Sequence, residues 1–512
     1  MRAPRLLLRT LPPSVLLSMG ASLAACTVGP DYRPPRTTVP PTWGELASAG
    51  AASQPSNPTS DPSPLAEWWT TFHDATLDAL VKRAVRANPD LRRAEARVRE
   101  ARARRGVVAA DRFPALDAAG SAARSRASAN ISNAPPGAGE PSSLYQVGFD
   151  ASWEIDLFGG VRRSLEAADA DVAAGVEDRR DALVSLLAEV ARSYVELRGA
   201  QRQAAIARAN LGAQTETLEL TRARLAAGLA SDLDVARAEA QVQATAAQIP
   251  SLESAARASI HLLSVLLAQQ PNALAGELSR EAPIPPTPRE VPIGLPSDLL
   301  RRRPDVRRAE RQLAAATARI GVATADLFPR FSLVGSLGLE SSTFRDVGDL
   351  DSRFWSIGPS VSWPLLDFGR IRSNVDVVDA REEQAAAVYE RTVLTSLREV
   401  EDALVSFSRE QARRRELAGA VDSNRRAVSL ADQLYRAGRT DFLSVLQSQR
   451  DLYASEDDLV DSDRRVASDL IALYKALGGG WEVEARTNGD LPRGEPGSRI
   501  LDLTTTPAGG AP

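Results

Sequence analysis

Few side chains in this sequence can do chemistry near neutral pH. Cys26 is the only cysteine and His73 and His261 are the only histidines among 512 residues. One thiol cannot close an internal disulfide, and two isolated imidazoles make a poor metal site. Imidazole is the commonest general acid or base near pH 7, so an enzyme is the weaker reading and no cofactor is implied. Acidic side chains number 66 against 62 basic ones, which leaves no positive surplus for phosphates, so nucleic acid is not an expected partner. Cys26 itself points to a different chemistry. It closes Leu23-Ala24-Ala25-Cys26, a bacterial lipobox, behind Arg2, Arg5, Arg9 and a mostly apolar stretch over 10–25. That pattern reads as a secretory signal peptide over 1–25, too short and too interrupted to span a bilayer. It makes Cys26 a lipidation site, and Thr27 at the next position is compatible with the outer membrane.

The elements that carry the rest of the chain are duplicated. Asn88-Pro89-Asp90-Leu91-Arg92-Arg93-Ala94-Glu95 reappears 215 residues later as Arg303-Pro304-Asp305-Val306-Arg307-Arg308-Ala309-Glu310. Phe113-Pro114 and Phe328-Pro329 keep that offset, and Ser152-Trp153 and Ser362-Trp363 repeat at 210. A fixed register over so long a stretch makes the chain one unit used twice. Within each unit two periodicities alternate. Tyr145, Val147, Phe149, Ala151, Trp153 and Ile155 alternate with polar or small residues, as do Trp355, Ile357, Pro359, Val361, Trp363 and Leu365. These are half-exposed strands, long enough at ~9–11 residues to cross a bilayer when tilted. Phe331, Leu333, Leu337 and Leu339 mark a partner strand, and the stretch from Leu116 to Ala127 is its weaker counterpart.

A seven-residue apolar stripe follows each strand pair. It runs Leu183, Val190, Leu197, Ala204, Leu211, Leu218 and Leu225 in the first unit, and Val393, Val400, Phe407, Val421, Val428 and Tyr435 in the second, where only Arg414 interrupts it. A stripe that strict is a coiled-coil seam. The expected layout is a lipid anchor and extended spacer over 26–66, then a first repeat over 67–270 with a β-hairpin at 115–156 and a helical hairpin at 160–269. A Pro-rich linker over 271–297 leads to a second repeat over 298–478, with its β-hairpin at 330–366 and helical hairpin at 370–477, and a flexible tail covers 479–512. No other strand-rich region is expected, and with aromatics at 5% neither is an aromatic-rich core. Strands in lipid must close on themselves, and known membrane barrels begin at about eight. One chain supplies four. Two copies would make a barrel filled by side chains, and three would make one wide enough for an aqueous lumen.

The motifs also carry a family resemblance. Cys26-Thr27-Val28-Gly29-Pro30-Asp31-Tyr32, Trp68-Trp69, Gly294-Leu295-Pro296-Ser297-Asp298-Leu299-Leu300, Leu366-Asp367-Phe368-Gly369-Arg370 and Tyr435-Arg436-Ala437-Gly438 together resemble the outer membrane factor family. These are the TolC-like exit ducts, and the match is to the NodT-type efflux lipoprotein branch. The resemblance implies mixed α and transmembrane β structure: a homotrimer with a twelve-stranded barrel continued by a helical periplasmic tunnel. Implied partners are a periplasmic adaptor, an inner-membrane efflux pump and outer-membrane lipid. At the helix turns it implies adaptor contact around Gly228 and Gly438, and a periplasmic gate at Asp234, Tyr435 and Arg450. Ser444 and Gln447 stand where relatives often carry aspartate, which weakens any cation-selective ring. The resemblance also covers protein-secretion ducts, and a lipid-anchored coiled-coil scaffold without a pore is the alternative from another class. The lipobox and the Gly294–Leu300 segment favour small-molecule efflux.

Overall fold

The computed structural model describes residues 27–35, 37–45, 56–59, 65–130, 132 and 138–482. The signal segment, Cys26 and the tail beyond residue 482 lie outside the described residues. After strand β1 (Asn57–Thr59) and a 3-10 turn at Leu65–Phe72 come helices α1 (Ala75–Ala87) and α2 (Pro89–Ala110) and strands β2 (Ala115–Arg126) and β3 (Pro141–Ile155). The first repeat ends in a helical hairpin, α3 (Gly160–Ala226) and α4 (Asp232–Leu266). A one-turn helix α5 (Ala275–Leu278) and strand β4 (Glu290–Pro292) lead to α6 (Pro296–Arg302) and α7 (Pro304–Ala325). The second repeat continues with β5 (Arg330–Ser341), β6 (Arg353–Ser362), α8 (Arg370–Arg436) and α9 (Phe442–Ala476).

The repeated Pro-Asp step starts α2 and α7, because proline at the first helical position presets φ and needs no N–H there. Asn88 adds a cap, its Oδ1 accepting from the N–H groups of Asp90 at 2.9 Å and Leu91 at 3.1 Å. Arg303 at the equivalent place cannot accept. Its guanidinium instead pairs with Asp305 and Glu399, both at 2.7 Å, and donates to the Ala476 carbonyl at 2.9 Å. Helices α3 and α8 each run 67 residues, roughly 100 Å at ~1.5 Å per residue. The heptad stripe faces inward: Leu183, Val190, Leu197 and Leu218 are buried in α3, and Val393, Val400, Phe407 and Val421 in α8. Arg414, which breaks the stripe, pairs with Asp463 of α9.

Aromatic residues are scarce but concentrated. Trp43, Trp68, Trp69, Phe72, Tyr194, Phe407 and Tyr474 are all buried in one cluster where the short helices meet the long ones. Trp68 stacks on Tyr474 with ring centroids 5.2 Å apart. An aromatic-rich core was not expected, yet the few aromatics gather in this one cluster, since the total content says nothing about where large side chains sit.

Three further expectations change. The described parts of the 29–66 stretch are packed against the fold and do not hang free as a spacer. Trp43 donates its indole N–H to the Gly294 carbonyl at 2.9 Å, and the backbone N–H groups of Gly44 and Glu45 donate to the Glu401 carboxylate. The buried Gln411 side chain bonds both the N–H and the carbonyl of Ser56. Second, β1 pairs in parallel with β4, Asn57 opposite Glu290, so a strand pair does exist apart from the main sheet. The Pro-rich segment that holds β4 is packed as well, with Leu274, Leu278, Val291 and Ile293 in the core. Third, residues 479–482 are held. The Trp481 indole donates to the Arg302 carbonyl at 2.9 Å and lies against the guanidinium groups of Arg180 and Arg307, at 4.4 and 5.3 Å.

Candidate functional site

Among the described residues no helix is long and apolar enough to cross a membrane, and no group of potential metal ligands is gathered. The other route through a bilayer is a sheet. Strands β2, β3, β5 and β6 form one antiparallel sheet in that order. Its register aligns the apolar alternations: Phe149 lies between Ala118 and Leu337, Trp153 opposite Leu333, Leu337 opposite Trp355, and Phe331 opposite Val361. One face is thus a continuous apolar surface. The other carries Asp117, Asp150, Ser336 and Ser356 in a row across the four strands, with the two serine hydroxyls 2.8 Å apart. Trp355 is 75% exposed and Ile357 68%, so nothing among the described residues covers this part of the apolar face. Both outer strands present an unpaired edge, which lipid does not tolerate in a monomer.

The junctions between sheet and helices repeat. Trp153 donates its indole N–H to the Arg112 carbonyl, and Trp363 donates to the Leu327 carbonyl, both at 3.1 Å. Asp156 and Asp367 cap the long helices, accepting from the N–H groups of Arg162 and Ile371 at 2.9 and 2.8 Å. Phe158 and Phe328 stack with centroids 4.6 Å apart, tying the two junctions together.

At the opposite end the helices turn. Gly228 and Gly438 adopt φ of +72° and +69°, the left-handed geometry that ends a helix and that a Cβ disfavours. A Cβ built on either would meet nothing within 4 Å. The turn alone accounts for these glycines within the chain. Beside them Leu229 is 67% and Leu233 57% exposed.

The three gate residues expected from the sequence occupy separate contacts. Asp234 closes a capping box: its Oδ2 accepts from the Ser231 N–H at 3.1 Å and hydroxyl at 2.8 Å. Arg450 donates from Nε to the Gln241 side chain at 2.6 Å, bridging α9 and α4. Tyr435 is buried, its ring 5.9 Å from Phe442. No hydrogen bond or ion pair among the described residues joins the three. Of the positions where aspartate was expected, Ser444 bonds the Asp441 carboxylate, holding it below the usual carboxylate range, and Gln447 donates to Asp451 at 3.0 Å.

Sequence reasoning missed Arg224. Its guanidinium lies 4.4 Å from the Tyr435 ring centre and donates to the Tyr435 carbonyl at 2.7 Å, linking the end of α3 to the end of α8. The one available signal is a break in the duplication, since the matching position of the second repeat is Leu434.

Comparison with known proteins agrees with this architecture. The model of the outer membrane efflux protein family matches residues 80–269 and 295–479, one span in each repeat. The solvent efflux pump outer membrane protein SrpC of Pseudomonas putida is 34% identical over 480 residues, covering 93% of this chain and 99% of the relative. Outer membrane protein OprJ of Pseudomonas aeruginosa is 35% identical over 468 residues, covering 91% and 95%. Among solved structures, the outer-membrane channel OprN superposes with a TM-score of 0.82 at 40% identity, over 89% of this chain and all of that one.

Proposed function

The chain belongs to the outer membrane efflux protein family, and we propose that three copies pass small molecules across the outer membrane when an adaptor and an inner-membrane pump engage the helix tips. It is an outer-membrane channel of an efflux system, with its barrel in the membrane and its helices reaching into the periplasm. One observation carries the assembly: a four-stranded sheet with a continuous apolar face and two unpaired edges in a single chain. Edge-to-edge pairing of three sheets gives twelve strands, removes every edge and turns the apolar faces to lipid. The row of Asp117, Asp150, Ser336 and Ser356 would then line a wet lumen. SrpC carries solvent efflux in its name, which supports small apolar molecules as cargo here. Selection lies with the pump.

Catalysis has no place in this reading. Asp234, Tyr435 and Arg450 close the tips between neighbouring subunits, and the region of Gly228, Gly438, Leu229 and Leu233 receives the adaptor. Lipidation at Cys26 tethers the assembly. The test is single-channel conductance in planar bilayers, with the wild type beside the triple variant Asp234→Ala, Tyr435→Phe, Arg450→Ala. Small wild-type currents that grow several-fold in the variant support both the duct and the gate. Silence from both, in samples shown to insert, would leave the scaffold reading in place.

A further inference from the structure

The apolar face of the sheet ends in arginine on both outer strands. On β2, Leu116, Ala118, Gly120 and Ala122 are followed on the same face by Arg124 and Arg126, and on β6, Val361, Pro359, Ile357 and Trp355 run out to Arg353. This is the end away from the helices, which join the sheet near residues 115, 155, 330 and 362. With the helices in the periplasm, it faces the outer leaflet. From Leu116 to Arg124 is roughly 27 Å along the strand, or about 20 Å of depth at a tilt of ~40°. The arginines therefore stand at the outer boundary of the apolar band. Among the described residues no ion pair reaches any of the three, although Asp346, Asp349 and Asp351 lie on the adjoining loop. Arg353 donates its Nε to the Leu350 carbonyl at 2.7 Å. By contrast Arg330, at the helix end of the sheet, is paired with Asp326.

The duplication shows where these arginines meet. β2 and β5 correspond at an offset of 215, β3 and β6 at 210, and the registers obey both: Gly120 faces Val147 as Gly335 faces Ile357. When three sheets close edge to edge, β6 of one copy joins β2 of the next as β3 joins β5 within a chain. Within the chain, Val147 lies opposite Leu339 and Tyr145 opposite Ser341. Across the seam the same register sets Ile357 opposite Arg124, and Trp355 opposite Arg126, of the next copy. Arg353 follows one row further out, diagonal to that Arg126 at about 7–8 Å. The counterparts on the two inner strands are uncharged: Leu339 for Arg124, Ser341 for Arg126 and Ser143 for Arg353. The repeat fold therefore does not require the arginines, and they gather only where two copies meet. Like charges this close repel, and an anion between them removes the repulsion.

We propose that each seam between copies is a clamp for a phosphate-bearing lipid headgroup of the outer leaflet, gripped by Arg353 of one copy and by Arg124 and Arg126 of the next. The inference rests on the three-copy barrel proposed above. Charge and place select the occupant. Guanidinium groups present forked donors that match phosphate oxygens, and at a membrane boundary it is lipid that presents phosphate. The acyl chains lie along the apolar face beside Trp355 and Ile357, 75% and 68% exposed in the single chain. Three such lipids tie the copies together at the end of the barrel that the helices do not reach.

The experiment titrates trimers of the full chain in detergent with diphosphorylated lipid A and reads binding by native mass spectrometry. Wild-type trimers take up to three lipids, one per seam, and the monophosphorylated and dephosphorylated forms bind progressively more weakly. The triple variant Arg124→Gln, Arg126→Gln, Arg353→Gln binds the diphosphorylated form roughly tenfold more weakly or worse, the loss of at least one charge-assisted contact. The matching triple lysine variant keeps part of the affinity. The same spectra show whether each variant is trimeric, and Arg353→Gln alone carries the comparison if the triple variant does not assemble. Equal binding of all three lipid forms by the wild type overturns the clamp without any variant, and so does wild-type affinity in the glutamine variants. Displacement of the lipid by millimolar inorganic pyrophosphate assigns the site to a free anion and overturns the lipid. A wild-type chain that forms no trimers overturns the assembly reading, and the seam with it.

Discussion

Replacing Arg224 with leucine removes one of the contacts that tie the two helical hairpins together near their tips. Two interactions are lost. The charge-assisted hydrogen bond to the Tyr435 carbonyl, 2.7 Å long, is worth about 1.5–3 kcal/mol. The guanidinium over the Tyr435 ring at 4.4 Å adds about 0.5–2 kcal/mol. Leucine recovers roughly 1 kcal/mol through the apolar surface of its own side chain. The net weakening is about 1–4 kcal/mol per subunit, a shift of roughly 5- to 700-fold toward the parted tip, at 1.4 kcal/mol per factor of ten. The expected readout is a higher open probability in planar bilayers and faster hydrogen exchange across residues 431–446. Arg224→Lys should fall between, because an ammonium can donate to the carbonyl but cannot lie flat on the ring. Faster exchange at the tip with currents unchanged from wild type would refute the link between this contact and closure. Unchanged exchange would refute the energies.

Asp469 of α9 offers a pH test away from the membrane. Burial, with Glu410 nearby, pushes its carboxyl up to about 6. A carboxyl with a folded pKa above its unfolded value binds its proton more tightly when folded, so stability falls as pH rises from about 4 through 6. Asp469→Asn should stabilise the fold at pH 7.5 by about 1–2 kcal/mol after allowing for solvent screening, read as a higher melting temperature, and should change little at pH 4; an equal gain at both values would remove the titration argument. Gly480, at φ +106°, packs against Leu187 and Trp68 so closely that an added Cβ would collide with Leu187. Gly480→Ala should therefore lower thermal stability by at least about 2 kcal/mol, whereas Gly228→Ala, with open space around it, should cost only about 1–2 kcal/mol; equal melting temperatures for the two would contradict the packing.

The sequence by itself determined what depends on neighbours along the chain. Alternation at Tyr145–Ile155 makes a strand whatever surrounds it, the seven-residue stripe from Leu183 makes a seam, and the Pro-Asp steps start helices. Gly228 and Gly438 mark the turns. Duplication doubled each signal, which is why the sheet, the hairpins and the family were legible from residues alone. What the sequence did not disclose lies in contacts between distant segments. Asp31 meets Arg163 across 132 positions, Trp43 meets Gly294 across 251, and Arg224 meets Tyr435 across 211. Pro- and Ser-rich stretches have no periodicity of their own, so the 29–66 stretch and the inter-repeat segment look like spacers until a groove is formed for them. Tertiary structure decided these contacts because a buried arginine, or a glycine pressed on another backbone, takes its meaning from what folding brings to it.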